Sequence, residues 1–140
     1  MIKSEILHPD LLHGLAKCGH KANILITDAN YSAVTNVAKH ASVVYLNLAV
    51  DMVRSPVILE KVLQYINVEK VTLMTYPDDF INVIELEYKQ LLPEDVEIDY
   101  LNRQDFYALA KSDDTFLVIV SGESKRFANI MLTVGPVFIS

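Results

Sequence analysis

A chain of 140 residues with 51 % apolar content has the length of one domain and enough hydrophobic material for a sizeable core. Its 12 basic and 18 acidic residues give a formal charge of −6 with no basic block, so nucleic-acid binding lacks its electrostatic footprint. The apolar runs stop far short of the roughly 20 residues that span a bilayer.

Met1-Ile2-Lys3-Ser4-Glu5 lacks the basic-then-apolar layout of a secretory leader. A single cysteine, Cys18, excludes an internal disulfide and a cysteine-based zinc site, and fits a reducing, cytoplasmic setting. The mean hydropathy of +0.25 is high for a small domain. It predicts that apolar surface is buried between copies of the chain.

The first predicted element is a helix over His8-Pro9-Asp10-Leu11-Leu12-His13-Gly14-Leu15-Ala16-Lys17-Cys18-Gly19. Pro9 suits its first turn, Asp10 the positive end of its dipole and Gly19 its C-terminal stop. Leu11, Leu12, Leu15 and Cys18 share one face. Asn23 to Thr27 is a short apolar run bounded by turn residues, hence a buried strand. Residues 28–41 read as irregular, and Ser42 to Val50 as a second strand. A helix capped by Ser55 follows, with Pro56 in its first turn and Ile58, Val62, Leu63 and Ile66 on one face. Glu69 to Tyr76 is predicted as a strand. Asp78-Asp79 open a helix that runs to Leu92 and stops at Pro93. Val96 to Leu101 alternates as a strand with one wet face. A short helix over Asn102 or Arg103 to Lys111 comes next, and Thr115–Val120 and Ile130–Val134 close the chain around Gly122-Glu123-Ser124-Lys125-Arg126. This order predicts a single α/β domain over residues 1–140, with helices packed on one sheet.

The chemistry-bearing residues are sparse. His8, His13 and His20 lack the i, i+4 spacing of a helical metal pair, and His40 stands alone, so no metal site is predicted. Cys18 lies in an apolar stripe, where a structural thiol is the simpler reading. The four glycines form no phosphate-binding loop. General acid–base chemistry remains: His20 follows a helix-ending glycine and titrates near neutrality, and Asp28 stands where the first strand runs out. From spacing alone, the simpler reading of His20 is a capping residue and that of Asp28 a turn former. Arg103 is equally a solvated helix residue, and Asn129 a turn residue.

Several pieces taken together are more specific. His8-Pro9-Asp10-Leu11-Leu12 with Gly19-His20, Asp28-Ala29, Leu101-Asn102-Arg103 with Phe106-Tyr107, and Ser121-Gly122-Glu123 leading to Phe127-Ala128-Asn129-Ile130-Met131-Leu132 and Gly135 occur in an order that resembles the ribose pyranase / L-fucose mutarotase family. The resemblance covers the whole chain and implies a cytoplasmic isomerase that interconverts ring forms of a free monosaccharide without a cofactor or metal. It implies His20 as the general acid/base and Asp28, Arg103, Phe127 and Asn129 as sugar-binding positions. It also implies a ring-shaped homo-oligomer, commonly a decamer, with no nucleic-acid or membrane partner. Arginine at 103 places the chain nearer the L-fucose branch than the D-ribose one.

Two positions depart from that pattern. Phe127 stands where the family usually has tyrosine, which leaves a catalytically weakened sugar-binding module as the alternative reading. Asn30-Tyr31-Ser32 stands where proline is common, which makes Tyr31 a pocket-lining candidate.

Overall fold

Six strands and four helices follow one another along the computed structural model, which describes residues 1–139. In chain order they are α1 (Pro9–Lys17), β1 (Asn23–Thr27), β2 (Ser42–Tyr45), α2 (Ser55–Val62), β3 (Asn67–Met74), α3 (Val83–Leu91), β4 (Glu97–Leu101), α4 (Arg103–Ala110), β5 (Thr115–Val120) and β6 (Ile130–Gly135). The strands form one mixed sheet in the order β2-β5-β1-β6-β3-β4. β1 runs parallel to β5 and antiparallel to β6, and β6 is in turn antiparallel to β3. β2 pairs parallel with β5, and β4 parallel with β3. As a result the carboxyl ends of five strands and the start of β6 meet at one edge of the sheet.

Period-2 alternation in the strands divides the core in two. Ile24 and Ile26 of β1 face α1, α2 and α3 through Leu11, Leu15, Ile58, Leu59, Val62, Ile84 and Tyr88. Leu25 faces the other way, with Val118, Met131, Phe106 and Ala110 of α4 and Tyr31 of the loop after β1. All five residues of β1 are buried, which is why its sequence reads as a continuous apolar run. Gly14 lets α1 lie close against the sheet: a Cβ there would sit 2.7 Å from Leu117 Cδ1.

The predicted elements are all present, with changed limits at several ends. α1 stops at Lys17, and Gly19 has no positive φ; Lys21, at φ 76°, makes the reversal into β1. The His8 ring, through Nδ1, accepts the Leu11 N–H at 3.3 Å and caps the helix. β2 ends at Tyr45 instead of Val50 because residues 46–54 turn back to pair with the end of β5 and the loop after it, through Leu46 N–H to Val120 O (2.9 Å) and Gly122 N–H to Val53 O (2.8 Å). Arg54, not Ser55, occupies the N-cap of α2; Ser55 is its first residue, and its hydroxyl is drawn into the interior by Tyr88 and Glu123. α2 also ends earlier than the apolar spacing predicts.

β3 spans Asn67–Met74, two residues ahead of the predicted strand. α3 begins at Val83 and not at Asp78, because the Asn82 side chain accepts the Glu85 N–H at 3.0 Å and fixes the helix start there. The closing strands do not pair with each other, since β1 lies between them. No helix among the described residues is long and apolar enough to cross a membrane.

Candidate functional site

The converging strand ends form a cleft lined by Asp28, Asn30, Tyr31, Met74, Arg103, Tyr107, Arg126, Phe127 and Asn129. Its cavity volume is about 210 Å³, below the roughly 300–1,000 Å³ of sites for drug-sized ligands, so it suits a smaller molecule. Its position follows from topology. In open α/β sheets, ligands sit beyond the carboxyl ends of strands, where side chains are held rigidly yet remain reachable.

Asp28 is the best-anchored group in it. The Asp28 Oδ1 atom accepts the N–H groups of Asn30 (3.0 Å) and Tyr31 (2.9 Å), while its own N–H donates to Asn129 Oδ1 at 2.8 Å. Burial raises the pKa of its carboxyl above the ordinary value, the two N–H groups partly offset this, and the nearby Glu123 charge raises it further. Asn129 is buried, and its amide is aimed by that single backbone contact. Tyr31 donates to the Asn36 carbonyl (2.6 Å), which pins the loop after β1, and packs edge-on to Tyr107 at 5.2 Å. Arg103 is the first residue of α4, whose start is set by the Asn102 side chain accepting the Asp105 N–H at 2.8 Å.

The segment 121–129 supplies the remaining wall and is held at both ends. The Ser121 hydroxyl donates to the Thr27 carbonyl (2.5 Å), and the Ala29 N–H donates to the Glu123 carbonyl (2.8 Å). Glu123 is fully buried, with Arg54 Nε 3.1 Å from its Oε1. Below it, the Tyr88 hydroxyl donates to the Ala128 carbonyl at 2.5 Å and lies 2.6 Å from Ser55 Oγ. Phe127 adopts a left-handed backbone, φ 57°, which turns its ring toward Phe80 (5.0 Å) and Tyr76 (6.0 Å). A non-glycine residue in that region at a cleft wall is a costly conformation kept by its surroundings.

Asp28, Tyr31, Arg103, Phe127 and Asn129 therefore share one cleft, although they come from separate parts of the chain. His20 does not join them within one chain. It precedes β1 while Asp28 follows it, so the length of a five-residue strand, roughly 17 Å, separates them. The His20 ring is half-exposed, with Nε2 3.2 Å from Glu69 Oε2. Lys21 Nζ lies 2.6 Å from the other oxygen of Glu69, and these contacts lower the pKa of the Glu69 carboxyl, Lys21 most of all. Beside His20 is a shallow hollow formed by Leu15, Cys18, Tyr65 and the 134–137 segment.

Asn30, Met74, Tyr107 and Arg126 also line the cleft, and none of them is a site candidate from the sequence. Tyr107 had a signal: it stands four residues after Arg103 and so shares its helix face. Arg126 had none, because its placement depends on the turn that precedes β6. Burial pushes the Cys18 thiol up to about 11, which makes it a poor nucleophile. Among the described residues, no group of three or more His, Cys, Asp or Glu side chains is placed to hold a metal ion.

Fold and cleft together define a mixed α/β domain with a small polar ligand site at its strand ends. The chain belongs to the RbsD / FucU family: the model described as "RbsD / FucU transport protein family" matches residues 1–137. It is 27 % identical over 144 residues to a fucose mutarotase of Danio rerio, covering 94 % of this chain and 90 % of that one. Among solved structures, it is similar to RbsD of Bacillus subtilis complexed with D-ribose, with a TM-score of 0.85, 27 % identity and coverage of 99 % of this chain and 100 % of the other. FucU of Bifidobacterium longum matches with a TM-score of 0.81 and 31 % identity, over 94 % of this chain and 95 % of that one. The fucose mutarotase of Streptococcus pneumoniae in complex with L-fucose matches at 0.79 and 27 %, over 94 % of each chain.

Proposed function

We propose that this protein is a monosaccharide mutarotase that interconverts ring forms of a free aldose, with L-fucose favoured and D-ribose the alternative. One observation carries the reading: Asp28, Arg103 and Asn129, from three distant segments, converge on one cleft of sugar-binding size. The similarity to a fucose mutarotase and to structures holding D-ribose and L-fucose supports it.

The chemistry asks for little beyond positioned proton transfer. A base removes the proton of the anomeric hydroxyl, the C1–O bond of that hydroxyl becomes a carbonyl, and the bond from C1 to the ring oxygen breaks as the ring oxygen takes up a proton. Rotation about C1–C2 and the reverse sequence close the other ring form. Such proton transfer contributes about 10²–10⁴-fold, enough for a reaction that already proceeds in water. No cofactor or metal enters these steps. In this reading Asp28 accepts from sugar hydroxyls, Arg103 and the Asn129 amide donate to sugar oxygens, Phe127 and Tyr31 shape the wall, and His20 is the acid/base.

His20 stands a strand length away, so the reading requires it to come from a neighbouring copy. A homo-oligomeric ring, of the decameric kind, would place the two sheet edges of adjacent copies together. Exposed Ile2, Leu7, Val137, Phe138 and Ile139 support buried contacts between copies. The whole chain, residues 1–140, acts as one domain in the cytoplasm.

Saturation-transfer NMR of L-fucose and D-ribose tests the proposal. Exchange should be faster than in buffer and should fall to the buffer rate in His20→Ala. A second reading, a sugar-binding module with weakened catalysis, is favoured by Phe127, whose ring carries no hydroxyl. It predicts saturable sugar binding with no acceleration, and a large gain of rate in Phe127→Tyr.

A further inference from the structure

Glu123 is a buried carboxylate that the ring-opening steps leave unused. It has no exposed surface and is not part of the cleft wall. Its Oε1 atom meets Arg54 Nε at 3.1 Å and accepts the Ser55 hydroxyl at 3.4 Å, while its Oε2 accepts the Lys125 N–H at 3.2 Å. Arg54 does not depend on this partner, because its guanidinium also makes a forked contact with Glu87 at 3.2 and 3.0 Å. Desolvation offsets much of the attraction within a buried ion pair, so a neutral residue of similar volume would serve stability as well. Stability alone does not account for an acid at this position.

Its relation to Asp28 does. The Glu123 carbonyl accepts the Ala29 N–H at 2.8 Å, one residue beyond Asp28, whose own N–H is held by Asn129. The Glu123 charge is also close enough to repel that of Asp28, which adds to the effect of burial and raises the proton affinity of the Asp28 carboxylate. Asp28 is faced by Glu123 from the 121–129 segment, by Tyr88 from α3 and by Tyr31 from its own loop. Arg103, Tyr107 and Arg126 stand around the same cleft. Glu123 is the one other carboxylate in this set. An ionised acceptor makes the stronger hydrogen bonds, and a more basic one pulls harder on a hydroxyl proton.

We propose that Glu123 is a positioning residue of the sugar site that acts through Asp28: its carbonyl fixes the residue after Asp28, and its buried charge makes the Asp28 carboxylate a stronger acceptor for a sugar hydroxyl. The inference rests on the sugar-site reading and uses only groups that one chain brings to the cleft. The sugar remains a neutral aldose, and the proton transfers at C1 and the ring oxygen are unchanged.

The test removes the charge at nearly constant volume with Glu123→Gln and Glu123→Met, and keeps it with Glu123→Asp. Binding of L-fucose and D-ribose is followed by NMR titration from about pH 7 to about pH 4, the range that contains a raised carboxyl. In these titrations every protein carries His20→Ala, so that no imidazole of a neighbouring copy titrates in the same range. Binding should fade toward low pH as Asp28 takes up a proton. The midpoint of that loss should lie at lower pH in both neutral variants and near the parent value in Glu123→Asp. Carbon-13 NMR of the Asp28 carboxyl without sugar should show the same downward shift. A purely structural Glu123 would weaken binding equally at every pH and leave the midpoint in place. Ring exchange is measured by saturation transfer on the parent with His20 intact.

An unmoved or raised midpoint in the neutral variants overturns the role of Glu123 and leaves the mutarotase reading standing if the parent accelerates exchange. A lowered midpoint with parent exchange no faster than buffer upholds Glu123 and overturns the mutarotase reading. If thermal melts show that neither neutral variant folds, Glu123 is a stability element and the inference fails. Failure of the parent to bind either sugar overturns both readings.

Discussion

The backbone N–H of Asp28 donates to the side-chain Oδ1 of Asn129 at 2.8 Å, across 101 residues of sequence. This one contact ties the carboxyl end of β1 to the entry of β6 and sets the Asp28 carboxyl and the Asn129 amide side by side in the cleft. Asn129→Ala strands a buried N–H, at a cost of about 1–3 kcal/mol. The melting temperature should fall by several degrees, and sugar binding should weaken by at least tenfold. Calorimetry together with an NMR titration reads both effects. A melting temperature equal to that of the parent would remove the structural role given to this bond.

Asp28 also makes stability depend on pH in a direction that can be worked out. Its folded pKa is raised, chiefly by burial. A raised acid contributes stability that is fully present below its unfolded value, about 3.9, and lost as pH rises through the folded value. At neutral pH the ionised carboxylate therefore weakens the fold. Asp28→Asn should be more stable than the parent at pH 7 while binding no sugar, and the stability difference should close as pH falls below the ordinary carboxylate range. Urea melts of both proteins across that range give the comparison. A lower stability of Asp28→Asn than of the parent at pH 7 contradicts the assigned electrostatics.

The separation of His20 from Asp28 calls for a mixing experiment. His20→Ala and Asp28→Asn should each exchange sugar ring forms no faster than buffer. Co-assembled in equal amounts, they should recover exchange at up to about one quarter of the sites, if each site takes its histidine and its aspartate from different copies. Recovery of no activity in oligomers shown to be mixed would place the acid/base elsewhere. Folding is not the concern here, since the His20–Glu69 pair is solvent-accessible and such exposed pairs add little to stability.

Gly122 tests the anchoring of the 121–129 wall. A Cβ there would meet the Ala49 carbonyl oxygen and lie 2.6 Å from the Met52 carbonyl oxygen. Both are backbone atoms of the 46–54 turn, which is bonded to Gly122 through the Asp51 N–H (2.6 Å) and Val53 O (2.8 Å). These atoms cannot move aside as a side-chain end can. Gly122→Ala should destabilise by about 1–3 kcal/mol, as overpacking does. It should also loosen the segment carrying Arg126 to Asn129, weakening sugar binding beyond what the stability loss explains. Hydrogen exchange at residues 121–129 checks the second effect. A variant with unchanged protection there separates Gly122 from the cleft.

The alternation of elements was legible in the sequence because each strand and helix carries its own pattern. The apolar run of β1, the Pro9 start of α1 and the Pro93 stop are local signals with local causes. Limits set by distant partners were not legible. Ser55 looks like a cap, but buried Tyr88 and Glu123 claim its hydroxyl, so the cap position falls to Arg54. Likewise Asp78-Asp79 looks like a helix start, but Asn82 makes the better cap and leaves Phe80 free to join the ring cluster at the cleft.

The candidate residues divide in the same way. Asp28, Tyr31, Arg103, Phe127 and Asn129 could be named only through the resemblance to the ribose pyranase / L-fucose mutarotase family; residue type and spacing alone left Asp28, Arg103 and Asn129 as turn or solvated helix residues. Their convergence required the sheet order, which puts β1 between β5 and β6 and brings the strand ends to a common edge. Arg126 became visible only once Phe80 and Phe127 were seen stacked against its guanidinium. His20, close to Asp28 in any reading of the sequence, lies a strand length from it in space, because an extended strand keeps its two ends apart. The sequence by itself determined which side chains stand at element ends; the tertiary structure decided which of those ends meet, because strand pairing follows from long-range burial that no local pattern encodes.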